Sequence, residues 1–95
     1  MYYPTSEYKL TGFVKSNTEN KKYDAVLKNK KTGKLTHVPF GDSRYEQYKD
    51  STGLGAYTSK DHGDPNRRKL YKMRHQKDLK PNNYSAGYFS YYYLW

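Results

Sequence analysis

The chain has 95 residues, with 18 Lys and Arg against 9 Asp and Glu and no cysteine. That length suits one domain, the lack of cysteine excludes disulfides and thiolate metal sites, and a net charge of +9 favours anionic partners: nucleic acid, acidic protein or phospholipid headgroups. Leu, Ile, Val and Phe together number only 13, beside 13 tyrosines and one tryptophan, so the expected core is thin, aromatic and stabilised in part by a partner.

The expected fold class is α+β within one domain, 1–95: a small N-terminal antiparallel sheet of two or three strands, then a basic helix, then an aromatic-rich C-terminal helix or strand. Residues 1–22 form a candidate extended arm, 23–40 a β-hairpin, 64–78 the basic helix and 84–95 the aromatic tail. Tyr8–Lys15 and Lys22–Asn29 have the composition of short strands. In the second, Tyr23, Ala25 and Leu27 alternate with Asp24, Val26 and Lys28, the period of a half-buried strand. Asn29–Lys34 is a hairpin connection with Gly33 available for a positive φ. Leu35–Phe40 returns with Thr36, Val38 and Phe40 on one face, and Pro39, lacking an amide donor, puts this strand at an edge or at its end.

After Gly41-Asp42 the spacing of Tyr45 and Tyr48 predicts a short helix over Arg44–Lys49, capped by Asp42 or Ser43. Ser51–Gly63 contains three glycines and is expected to be a loop. Asp64-Pro65 is a strong helix start, because the Asp oxygen accepts orphan amides and proline needs none at the first helical position. That helix should run to about Lys77, before Leu79-Lys80-Pro81. On it Leu70, Met73 and Lys77 share one stripe and Arg67, Tyr71, Arg74 and Asp78 another. Ser85 can cap a tail in which Tyr88, Tyr91, Tyr92 and Trp95 fall at helical spacing, although Gly87 and Tyr91-Tyr92-Tyr93 suit a strand equally.

No stretch approaches the roughly 20 apolar residues of a membrane span, and Met1–Lys15 lacks the apolar segment of a signal peptide, so a soluble chain without a transmembrane segment is expected. His37, His62 and His75 match no metal-ligand spacing, and neither a nucleophile motif nor a phosphate loop is present. No catalytic, metal or cofactor residues are therefore assigned, and a non-enzymatic protein without a small-molecule substrate is expected. The contact chemistry lies elsewhere. Seven cations fall between Arg67 and Lys80 against the single acid Asp78, and guanidinium forks match carboxylate or phosphate geometry. Tyr and Trp of the tail combine large area with a polar tip, the composition of interfaces. The candidate partner-binding residues are Arg67, Arg68, Lys72, Arg74, Tyr88, Tyr91, Tyr92 and Trp95.

From Tyr23 to Trp95 the order of several short pieces resembles a family of small basic proteins, without an assigned activity, encoded by large nucleocytoplasmic DNA viruses of algae and amoebae. The pieces are Tyr23–Lys34 (YDAVLKNKKTGK), Val38–Asp42, Tyr45–Asp50, His62 with Asp64, Arg67–Tyr71, Arg74-His75 with Asp78, Ser85–Ser90 and Leu94-Trp95. Family members often carry tryptophan where this tail has tyrosine, and the first 22 residues look particular to this chain. The resemblance implies a viral source. Combined with the residues, it leads us to expect a structural component of the virion, a minor capsid or cement-type protein bound to neighbouring capsid proteins. It would pass through host cytoplasm or nucleus during assembly. The alternative is a protein bound to nucleic acid, either the viral genome or its transcripts, through the basic helix and stacking tyrosines.

Overall fold

A computed structural model describes every residue from Met1 to Trp95. The architecture is α+β, with strands β1 (Tyr3–Pro4), β2 (Tyr8–Lys15), β3 (Lys21–Asn29) and β4 (Leu35–Asp42) followed by helix α1 (Pro65–His75), strand β5 (Asn83–Tyr84) and helix α2 (Ala86–Tyr93). Strands β2, β3 and β4 form an antiparallel meander with β3 at its centre. The alternation read in β3 places Tyr23, Ala25 and Leu27 in the core beside Val38 and Phe40 of β4. β4 is an edge strand, as Pro39 requires, and it continues past the proline to Asp42. Between β3 and β4 the Asn29 carboxamide oxygen accepts the amides of Lys31 and Thr32, and Gly33 takes φ +75° to close the turn.

β2 contains an irregularity that its composition does not announce. The register against β3 shifts between Leu10 and Gly12, leaving Thr11 as the extra residue, with its hydroxyl bonded to the Val26 carbonyl at 2.9 Å. A bulge of this kind advances the pleat by one residue. Leu10 and Phe13, three positions apart, therefore both pack on the core. Residues 1–22 are joined to the fold through this strand and through β1, whose Tyr3 lies opposite Tyr84 of β5.

Helix α2 packs across β4 and completes the core with Phe89, while Leu94 just beyond it is also buried. The tail is thus helical. Ser85 accepts the Tyr88 amide through its hydroxyl at 3.1 Å, and the helical period brings Phe89 and Tyr93 onto Phe13, at 6.0 and 4.7 Å between ring centres. Only 12 of 95 residues are buried, seven of them apolar, so each core aromatic carries an unusually large share of the hydrophobic stabilisation, roughly 1.5–3 kcal/mol apiece.

The segment between β4 and α1 has no α-helix, and the helix predicted over Arg44–Lys49 does not form. Two local preferences defeat it. The Asp42 carboxylate accepts both the Arg44 amide and its guanidinium, at 2.7–3.0 Å, which holds the chain in a turn. Gln47 is fully buried, and its backbone pairs in extended form with Lys60 and His62. Tyr45 and Tyr48 consequently do not share a face: Tyr45 is 65% exposed and Tyr48 half-buried.

This segment is attached through polar groups instead of an apolar stripe. The Lys22 ammonium donates to Gln47 Oε1, and Gln47 Nε2 donates to the Tyr57 carbonyl at 2.8 Å and to Asp61 Oδ1 at 2.6 Å. Asp61 also accepts the Asp50 amide at 2.8 Å, and the Tyr23 hydroxyl donates to Asp50 Oδ2. Burial, and then the charge of Lys60, lower the Lys22 ammonium to about 8. Burial and the hydrogen bond to Asp50 raise the Tyr23 hydroxyl to about 12. Burial pushes the Asp50 carboxyl upward, but hydrogen bonds from Thr52 and Tyr23 outweigh it and hold the group below its ordinary range.

Candidate docking face on the basic helix

Helix α1 starts where its sequence directs. Asp64 accepts the amides of Asn66 and Arg67 at 2.9 and 3.4 Å, and Pro65 occupies the first turn. After His75 the chain tightens into a 3-10 turn, Gln76–Asp78, before the extended Leu79. None of the eleven residues of α1 is buried. Its orientation is set by aromatic stacking. The Tyr71 ring lies parallel on Trp95, 4.1 Å between centres at 4°, and His75 lies 4.4 Å from Tyr71. Trp95 is flanked in turn by His62 at 5.1 Å. Burial raises the Tyr71 hydroxyl above its ordinary range.

The eight residues expected to bind a partner divide by this orientation. Arg68 is engaged within the chain: its Nε donates to the Trp95 carbonyl at 2.8 Å and its guanidinium sits 4.9 Å from the Tyr48 ring centre. Lys72 lies 4.5 Å from Tyr91 and 5.8 Å from Tyr92, and burial, then Arg68, hold its ammonium below the usual lysine range. Trp95 and Tyr91 are half-buried receivers of these contacts. Tyr88 lies between Tyr84 and Tyr92, at 5.3 and 4.8 Å, and burial raises its hydroxyl. Such cation–ring contacts contribute about 0.5–1 kcal/mol each near a surface, so five of the eight residues are engaged within the chain, with Lys72 joining α1 to α2.

The other three face solvent. Arg67 forms an exposed ion pair with Glu46 at 3.0 Å, which lowers the Glu46 carboxyl and, screened by solvent, contributes little to stability. Arg74 has no carboxylate partner, and Tyr92 is 52% exposed. Between Arg74 and Lys69 stand two residues absent from the expected set, Leu70 and Met73, which are 55% and 66% exposed. They are neighbours on the helix surface at a spacing of three, and Lys77 follows in the 3-10 turn after the helix. The outer face of α1 is therefore an apolar pair framed by Lys69, Arg74 and Lys77. The Leu70–Met73–Lys77 stripe was visible in the periodicity. Its outward direction was not, because Tyr71 and Trp95 decide which side of the helix is covered.

Each histidine makes one polar contact. His37 and His75 contact Asp24 and Asp78, both at 3.2 Å, while His62 Nδ1 accepts the Asp64 amide at 2.9 Å. No helix is long and apolar enough to cross a membrane. No protein-family model matches the chain, and neither a curated protein nor a solved structure shows significant similarity to it.

Proposed function

We propose that the protein acts by contact and not by turnover, as a minor capsid or cement-type component of a large DNA virus particle, with the outer face of α1 docking on an acidic neighbouring capsid subunit. The observation that carries this is the exposed Leu70–Met73 pair ringed by Lys69, Arg74 and Lys77. A helix with apolar anchors one turn apart fits an apolar groove, and the surrounding cations select a groove with acidic rims. A phosphate backbone offers no counterpart to the two apolar side chains. The thin core supports the same view, since burying α1 against a neighbour adds the apolar contact that the isolated fold lacks.

The deciding experiment is mass spectrometry of purified particles, combined with cross-linking from Lys69 and Lys77. Recovery in particles, with cross-links to an acidic capsid subunit, is the expected outcome; absence from particles defeats the proposal. Genome or transcript binding is the second reading, supported by Lys69, Arg74, Lys77 and Lys80, none of which has a carboxylate partner. If these four contact phosphates, the log–log salt slope of duplex binding is roughly −4, and Leu70→Asp leaves it unchanged apart from one added negative charge.

A further inference from the structure

The cleft between α2 and the segment that follows α1 contains a second set of groups that the outer face of α1 does not use. Tyr88 and Tyr92, one turn apart on α2, form one wall, with ring centres 4.8 Å apart. Gln76, after the last turn of α1, the Leu79–Asn83 loop and Thr5 form the remainder. The cavity measures about 480 Å³, within the roughly 300–1,000 Å³ of small-ligand sites. Its composition is specific: aromatic ring faces, carboxamides and a lysine, with no carboxylate among the lining residues. Lys72, outside the lining, holds a second cation beside it, 4.5 Å from the Tyr91 and 5.8 Å from the Tyr92 ring centre, and the Lys80 ammonium rests 5.4 Å from the Tyr2 ring centre.

The loop holds these groups in a defined geometry. Asn82 adopts φ +61°, a left-handed conformation that Asn tolerates better than most residues, and its carbonyl is anchored by the Thr5 amide at 2.9 Å. The Asn83 carboxamide is occupied by the Pro81 carbonyl at 2.9 Å. Gln76 and Asn82 are exposed and border the cavity. A half-exposed tyrosine ring provides a stacking platform for any nucleobase, carboxamides pair with the donor and acceptor atoms on a base edge, and ammonium groups neutralise phosphate.

We infer that this cleft binds a nucleotide residue, with the base on Tyr92, its edge toward Gln76 and Asn82, and its phosphate toward Lys72 and Lys80. A neutral sugar also uses rings and carboxamides, but it makes no use of the two cations. The shared chemistry of base plus phosphate belongs to free mononucleotides and to single-stranded nucleic acid alike. The site lies beyond the C-terminal end of α1, and neither Leu70 nor Met73 is among its lining residues.

The test is titration of the full chain with AMP, adenosine, ribose 5-phosphate and a short single-stranded oligonucleotide, following the side-chain amide resonances of Gln76 and Asn82. AMP is expected to shift both and to bind at least about tenfold more tightly than ribose 5-phosphate. Tyr92→Ala should weaken AMP about tenfold, in line with the contribution of one base–ring stack, whereas Tyr92→Phe retains binding. Tighter binding of the oligonucleotide than of AMP identifies nucleic acid as the source, and equal binding identifies the free nucleotide. Equal affinity for AMP and ribose 5-phosphate, tighter binding of a hexose, absence of amide shifts at millimolar AMP, or indifference to Tyr92→Ala each overturns the inference. Should Tyr92→Ala fail to fold, Lys72→Gln takes its place: it is expected to weaken AMP but not adenosine, and an equal effect on both overturns the inference. Leu70→Asp is expected to leave AMP binding intact, which separates this result from the fate of the docking proposal.

Discussion

Helix α2 spans eight residues, carries no charged side chain and buries Phe89 completely, whereas α1 spans eleven, carries five Lys and Arg, and buries nothing. Both begin at a side-chain cap, so local start signals do not distinguish them. What differs is the material each presents to the sheet. Phe89 and Leu94 enter a core made by β3 and β4, while α1 reaches the rest of the fold through the Tyr71–Trp95 stack and the cations resting on Tyr48 and Tyr91. A helix held by stacking along one side leaves its own apolar residues free, and on α1 those are Leu70 and Met73. The contrast teaches that apolar residues on this chain belong to the core in α2 and to the outside in α1.

The contrast is broken most forcefully at Phe89. Phe89→Ala removes the side chain common to the Phe13, Phe40 and Tyr93 contacts and should cost about 3–5 kcal/mol, read as a fall in the urea midpoint or as failure to fold. Gly41→Ala comes next. Gly41 has φ +73°, and an added Cβ lies 2.7 Å from Leu94 Cδ1, so about 1–3 kcal/mol is expected in the same assay. Asp64→Ala deletes the cap of α1 and should cost about 1 kcal/mol, while faster hydrogen exchange appears in α1 and not in α2.

A pH series sharpens the comparison from the loop side. Lys22 titrates near 8 in the fold and at 10.5 ordinarily. Between those values the unfolded chain binds the extra proton, so stability rises with pH across the window and the penalty of burying the cation is fully present below it. Lys72, also lowered, acts in the same direction, while Tyr23, at about 12 in the fold against 10.0 ordinarily, opposes the rise from about pH 10 upward. The expected gain is about 1 kcal/mol for one pH unit above 8, measured by urea denaturation, and Lys22→Met should largely abolish it. The smallest effect belongs to the outer face of α1. Leu70→Ser and Met73→Ser should each change stability by no more than about 0.5 kcal/mol; a loss comparable to Phe89→Ala would show that α1 is a core helix after all.

Much of the fold was legible because its signals are local. Tyr8–Lys15, the hairpin with Gly33, and the Asp64-Pro65 helix start each announce themselves within a few residues, through alternation, turn chemistry and capping. Arg44–Lys49 misled because Tyr45 and Tyr48 imitate a helical face, whereas Gln47 is drawn into an extended pairing by partners at Lys60, Asp61 and His62. The tail was ambiguous between helix and strand for the same reason: the choice depends on Phe13 and Phe40, far away in the chain. Of the eight residues expected to bind a partner, Arg68, Lys72, Tyr88, Tyr91 and Trp95 are engaged internally, and nothing in the sequence around Arg68 and Lys72 distinguishes these two cations from Arg74.

The amino-acid sequence alone determined the class of the fold, the thinness of the core, the sign of the charge and the start of α1, since these depend on composition and on interactions within a turn or two. Which face of α1 is covered, which of its cations remain unpaired and where the cleft beside α2 opens were decided only by the tertiary structure. Each of these depends on a ring or carbonyl contributed by a separate element of the chain, and pairings between elements are chosen by packing and not by local preference.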